Sequence, residues 1–257
     1  MKQKIKIVVD SCSSLTKEEC EKRNIVCVET TYMLDDVLHT AFDEPEISIL
    51  DFYKKLDEIK TCSTGCVNVN SFEECFEKLA NDGYHVVYNA QLSSTYSNAV
   101  VAATNVNEKF GKNVVKTVDS RTGSLGIQIL IDDAEQLIAE GKNLDEIEFI
   151  LKDYASKVES TFICRDLNFL HKCGRLSSFE AGLGKLLKIV PIIHVSPKDS
   201  KLHVSDKCLG KNLAYKTLRK KFIDLIKTRP CEKVYIGSCG LDEDAESLKQ
   251  CIIENTH

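Results

Sequence analysis

Four short segments gather side chains that can donate hydrogen bonds to an anion: Asp10-Ser11-Cys12-Ser13-Ser14, Thr61-Cys62-Ser63-Thr64-Gly65, Leu92-Ser93-Ser94-Thr95 and Asp119-Ser120. The first, third and fourth follow apolar runs that read as strands, and helical patterns come after them. A helix N-terminus exposes unpaired N–H groups and a partial positive charge. Hydroxyls beside such ends make a seat for a carboxylate or a phosphate. Plain N-capping explains any one of these turns by itself. Several on one sheet edge also make a shared pocket, because ligands of open parallel sheets bind outside the carboxyl ends of the strands.

Other chemistries lack their signatures. No GxxxxGK[ST] loop is present, and the nearest approach to GxGxxG, Gly182-Leu183-Gly184, has no strand before it. Phosphate-bearing cofactors are therefore not expected. No GxSxG elbow surrounds a serine, and none of His39, His85, His171, His194, His203 and His257 is placed by sequence as a base for Ser93 or Ser94. A triad can still assemble from distant residues, so an uncharacterised acyl hydrolase stays as an alternative. The 12 cysteines include no CxxC pair and no zinc-site spacing, so no metal is expected. Most of them read as small core hydrophobes suited to a reducing compartment.

Composition narrows the class further. With 43% hydrophobic and 28% charged residues, the chain is of ordinary globular type rather than disordered. Net charge is −5, and the basic run Arg219-Lys220-Lys221 falls in a helical pattern, so nucleic-acid binding is not expected. No apolar run approaches the ~20 residues of a membrane span. The first residues lead straight into a short strand with no signal-peptide pattern, which points to a cytoplasmic protein.

The elements that would position the hydroxyl turns alternate. Strands are predicted over Ile5–Val9, Val26–Glu29, His85–Tyr88 and Val114–Val118. Ser48 is placed to cap a helix with Ile49, Phe52, Tyr53, Leu56 and Ile59 on one face. Phe72, Cys75, Phe76 and Leu79 mark another helix that stops at Gly83. Ala99, Ala102, Ala103, Val106 and Phe110 mark a third, closed by Gly111. A fourth runs to about Glu140. This βα order predicts an α/β fold with a mostly parallel sheet in the N-terminal domain. After a helix over 144–158 the pattern changes. Ile189–Val195 and 201–207 read as a hairpin around Pro197-Lys198-Asp199-Ser200. A helix over 210–227, a strand over Val234–Ser238 and a helix over Glu243–Glu254 follow. This predicts an α+β C-terminal domain, with domains at 1–158 and 159–257.

Six motifs in this order resemble the DegV family of bacterial fatty-acid-binding proteins. They are Asp10-Ser11 after the first strand, the Thr/Ser loop at 61–65 before a Phe-led helix, Leu92-Ser93-Ser94-Thr95-Tyr96-Ser97-Asn98-Ala99, Val118-Asp119-Ser120, Leu167 through Leu170 to Gly174-Arg175-Leu176-Ser177, and Leu187-Lys188-Ile189-Val190-Pro191-Ile192. The resemblance implies a two-domain DegV-like fold that encloses one long-chain fatty acid between its domains. It implies a non-catalytic, cofactor-free carrier that presents the acyl carboxylate to a separate fatty-acid kinase. Carried across, the head group meets Ser63, Thr64, Ser93 and Ser94, and Arg175 lies near the cleft or the partner surface. A binder of another small carboxylate or phosphate is the other alternative.

The chain departs from the family's pattern at several places. Gly65 stands where a serine is usual, and Thr61 is the alternative hydroxyl in a shifted register. Ser94 replaces a glycine, Asn89-Ala90 replaces Ser-Ser, and Leu209 stands in place of an arginine. The sequence ends at His257, short of the strand and loop with which the family usually closes.

Overall fold

The computed structural model describes residues 3–42, 49–90, 94–164, 189–229 and 231–255. They form two compact units. The first comprises Met1–Glu44, Ser63–Ser160 and Val195–Lys201, and the second Pro45–Cys62, Thr161–His194 and Leu202–His257.

The first unit is built on β1 (Ile5–Asp10), β2 (Val26–Val28), β6 (His85–Ala90) and β7 (Val115–Asp119). They pair in the order β2-β1-β6-β7, all parallel. Val8, Val9, Val86, Val87 and Val118 are fully buried, as expected for strands covered on both faces. One face carries α3 (Val69–Asn81) and α4 (Ser94–Phe110), and the other carries α5 (Leu125–Ala139) and α6 (Leu144–Ala155). In α3, Phe72, Phe76 and Leu79 recur at helical spacing and are buried, and Asn68 caps the helix by accepting the Ser71 N–H at 2.8 Å. Gly111, at φ +63°, ends α4 in the left-handed conformation that glycine adopts without strain. A short helix, α1 (Lys17–Arg23), opens with a Thr16/Glu19 capping box and delivers the chain into β2.

Two features of this unit differ from the sequence reading. The segment 31–40 is a hairpin of β3 (Thr31–Leu34) and β4 (Val37–Thr40), turned by Asp35 and Asp36, both at positive φ. The stretch expected to be a loop at 61–65 contains strand β5 (Cys62–Gly65), which pairs with β3. Polar side chains do not bar an edge strand, because its pairing is made by backbone groups.

In the second unit, α2 (Ile49–Glu58) buries Leu56, and Ile59 is buried just beyond its end. Strands β8 (Ser160–Ile163), β9 (Ile189–Val195) and β10 (Leu202–Leu209) form a sheet in the order β10-β9-β8. The β9–β10 turn is closed by the Ser196 N–H donating to the Lys201 carbonyl at 3.0 Å. Helices α7 (Lys211–Thr228) and α8 (Asp242–Asn255) follow. A bond from the Tyr215 hydroxyl to Asp244 Oδ2, 2.9 Å, joins them. The strand expected over Val234–Ser238 does not form: these residues pair with no strand among those described, and Val234 is exposed. The Ser48 cap and the motif over 167–178 lie outside the described residues. The α/β class expected from the sequence, with its parallel N-terminal sheet, is the one observed.

Candidate functional site

The carboxyl edge of the parallel sheet and the elements after it carry the polar groups of interest. Those after β1 and β7 hold the protein together. Asp10 is buried, with Oδ1 accepting the Cys12 N–H at 2.8 Å and Oδ2 accepting the Tyr88 hydroxyl at 2.7 Å. Ser11 Oγ accepts the Thr30 N–H at 3.1 Å, and buried Ser13 lies over the Leu15 N–H. The Ser14 hydroxyl donates to Ser124 Oγ at 2.9 Å. At the β7 turn, the Ser120 hydroxyl donates to the Thr122 carbonyl at 2.9 Å, and Asp119 accepts the Arg121 N–H at 2.8 Å. Burial raises the Asp119 pKa, and the Arg121 N–H and charge oppose that rise.

Further hydroxyls lie on β5 and at the start of α4. Ser63 and Thr64 lie on β5, Thr61 immediately precedes it, and Ser94 opens α4; all four are exposed. Two contacts place the segment that follows β5. Asn98 Nδ2, one turn into α4, donates to the Val67 carbonyl at 2.8 Å. Cys66, next to Gly65, lies close enough to Cys12 to raise its pKa electrostatically. Cys66 therefore stands beside the β1 turn and Val67 beside the first turns of α4. Ser93 and Arg175 lie outside the described residues.

Gly65 has a steric role here. A Cβ at this position would lie 2.3 Å from Thr31 Oγ1 on the paired strand, so a side chain at 65 requires the Thr31 hydroxyl to turn away. The closeness of the Thr31 hydroxyl to position 65 becomes visible only once the strands are paired.

The edge holds no activated nucleophile among the described residues. Desolvation, then the Asp10 charge, pushes the Cys12 thiol up to about 12. Burial likewise raises Cys27 well above the ordinary thiol range. Burial also raises the Tyr88 phenol, with Asp10 adding to the effect, so Tyr88 remains a donor. His85 begins β6, at the end of that strand away from Ser94, and His39 on β4 stacks on Tyr32 with centroids 5.0 Å apart. No cluster of potential metal ligands occurs among the described residues. No described helix is long and apolar enough to cross a membrane. The cysteines fit the core reading only in part: Cys20 and Cys208 are buried, whereas Cys66, Cys231 and Cys239 are exposed.

Fold and site together define an α/β protein with a parallel sheet and exposed hydroxyls on β5 and at the start of α4. The family model described as "Uncharacterised protein, DegV family" matches residues 4–257, and the chain belongs to that family. A DegV domain-containing protein of Clostridium perfringens is 29% identical over 255 residues, 98% of this chain and 87% of that one. Among solved structures, a fatty acid binding DegV family protein from Streptococcus agalactiae superposes with a TM-score of 0.82 at 22% identity, covering 98% of this chain and 88% of that one. A DegV lipid binding protein from Thermotoga maritima gives 0.75 at 25% identity, covering 96% and 88%.

Proposed function

We propose that the protein binds one long-chain fatty acid, seats its carboxylate on the hydroxyls of Ser63, Thr64, Ser93 and Ser94, and presents it to a separate fatty-acid kinase that forms the acyl phosphate. The observation that carries this reading is the set of exposed hydroxyls on β5 and at the start of α4, the helix that follows the carboxyl end of β6. Ser63 and Thr64 are exposed on β5 and Ser94 is exposed at the start of α4, and Asn98, one turn into α4, holds the Val67 carbonyl just beyond β5. The fatty-acid and lipid binding of the solved relatives supports the choice of ligand.

The energetics divide between tail and head. About fourteen methylenes of a palmitate-length chain, at roughly 0.8 kcal/mol each, contribute on the order of 11 kcal/mol before the costs of association. Taking a carboxylate out of water costs several kcal/mol unless donors replace the lost hydration. The tail supplies affinity, and the hydroxyls set orientation and offset desolvation. Neutral donors leave a carboxylate oxygen nucleophilic enough for phosphorylation by the partner, and this chain needs no catalytic group of its own. Arg175 belongs to the same reading, near the head group or the kinase-facing surface, and Thr61 is the reserve hydroxyl.

The test is to make Ser93→Ala and Ser94→Ala separately and measure fatty-acid affinity and unfolding midpoint for each. Ser93→Ala is expected to weaken binding by about 1–3 kcal/mol. Ser94→Ala is expected to act mainly on stability, by about 1 kcal/mol. If neither change weakens binding, the carboxylate is not seated at this turn.

A further inference from the structure

Asn89 is the penultimate residue of β6 and is 1% exposed, yet neither its amide nitrogen nor its amide oxygen has a hydrogen-bond partner. Its strand neighbours are Val118 on β7, directly in register, and Val9 on β1, one step beyond the Val8–Tyr88 pair. Both valines are fully buried and offer the amide nothing polar. Tyr88 packs its ring on Phe72 and Phe76 of α3, so the alternation of strand side chains turns Asn89 to the opposite face, the one covered by α5 and α6. A buried amide without partners is costly, and such groups concentrate where a ligand or an ordered water completes them.

Its place in the topology says what completes it. The chain leaves β1 for β2 on one side, and the next strand of this sheet, β6, lies on the other side of β1. The gap beyond the carboxyl ends of β1 and β6 is therefore the switch point of the sheet, where open α/β sheets take their ligands. Asn89 lies one residue from the end of β6 at that gap, and Ser94 lies four residues beyond the strand. We propose that Asn89 is the innermost hydrogen-bonding group of the head-group site, its amide tied to the acyl carboxylate directly or through one water. The amide N–H donates toward the carboxylate. The amide oxygen takes the water that bridges to the remaining lone pairs, which accounts for a donor and an acceptor being left open together. This rests on the fatty-acid reading above and adds the group that makes the site selective for a free acid.

The experiment compares wild type, Asn89→Leu and Asn89→Ser, each loaded with oleate or with methyl oleate, and measures affinity together with the unfolding midpoint of the ligand-free protein. Leucine nearly matches asparagine in size and suits the valine neighbours. Asn89→Leu is expected to keep or raise the ligand-free midpoint, to lose roughly tenfold to a hundredfold in oleate affinity, and to change methyl oleate affinity less than about threefold. Asn89→Ser, which keeps a shorter polar group, is expected to fall between and carries the test if the leucine variant does not fold. Oleate affinity within about threefold of wild type in both variants, or equal losses for acid and ester, overturns the assignment and leaves the amide to an interior water. Wild-type protein that binds neither ligand overturns the fatty-acid reading, and this assignment with it.

Discussion

Tyr88→Phe isolates one atom of the framework behind the site. The Tyr88 hydroxyl donates to Asp10 Oδ2 at 2.7 Å, Asp10 is 2% exposed, and its other oxygen is held by the Cys12 N–H at 2.8 Å. Phenylalanine keeps the ring against Phe72 at 5.0 Å and Tyr96 at 6.4 Å, so packing is retained and only the donor is lost. A hydrogen bond to a charged group contributes roughly 1.5–3 kcal/mol, and here the acceptor cannot turn to water. For a chain of this size each kcal/mol moves the melting midpoint by about 2–4 °C, so a fall of roughly 3–12 °C is expected. Guanidinium unfolding should show a lower midpoint with an unchanged slope. Adding Asp10→Asn should cost less in the Tyr88→Phe protein than in wild type, because the two side chains share one interaction. A change below about 0.5 kcal/mol in Tyr88→Phe, or full additivity of the two substitutions, would refute the view that this pair fixes the β1 turn.

Three further outcomes follow from the same geometry. Gly65→Ser should destabilise by about 1–3 kcal/mol through overpacking against the Thr31 hydroxyl, and Thr31→Ala in the same chain should recover most of the loss; an unaffected single variant would mean that the Thr31 hydroxyl does not lie against position 65. Cys12, with its thiol pushed up to about 12, should resist iodoacetamide at mildly alkaline pH while exposed Cys66, Cys231 and Cys239 react, and peptide mapping that finds Cys12 labelled as fast as Cys66 would contradict its burial. Burial, then the Lys112 charge, lowers the His85 pKa below the ordinary 6.5, so the unfolded chain takes up the proton first. Stability is then full above about 6.5 and falls as pH drops toward the folded pKa. His85→Gln should flatten that part of the stability–pH curve, and an unchanged curve would exclude His85 as its cause.

What the sequence disclosed depended on how local the determining physics was. The spacing of Phe72, Phe76 and Leu79 identifies α3 because amphipathic periodicity is written into adjacent turns. The hydroxyl turn after β1 is equally plain, since Asp10 caps within two residues. The β3–β4 hairpin escaped because Met33, Val37 and Leu38 are exposed apolar residues that blur the alternation of a half-buried ribbon; Asp35-Asp36 was the available signal. Val234–Ser238 misled in the opposite sense: a short apolar run cannot say whether a neighbouring strand exists. The Tyr88–Asp10 bond spans 78 residues and follows from the register of β1 on β6, which no local pattern encodes. Asn89 is likewise ordinary in the sequence and becomes notable only when its burial and lack of partners are seen.

The central claim concerns what the protein carries. Purification under non-denaturing conditions, followed by organic extraction and mass spectrometry, with native mass spectrometry for stoichiometry, addresses it directly. The expected result is roughly one fatty acid of about fourteen to eighteen carbons per chain, the size class that a deep, mostly apolar ligand pocket encloses. Protein that emerges empty and also fails to take up palmitate or oleate when they are supplied would contradict the account.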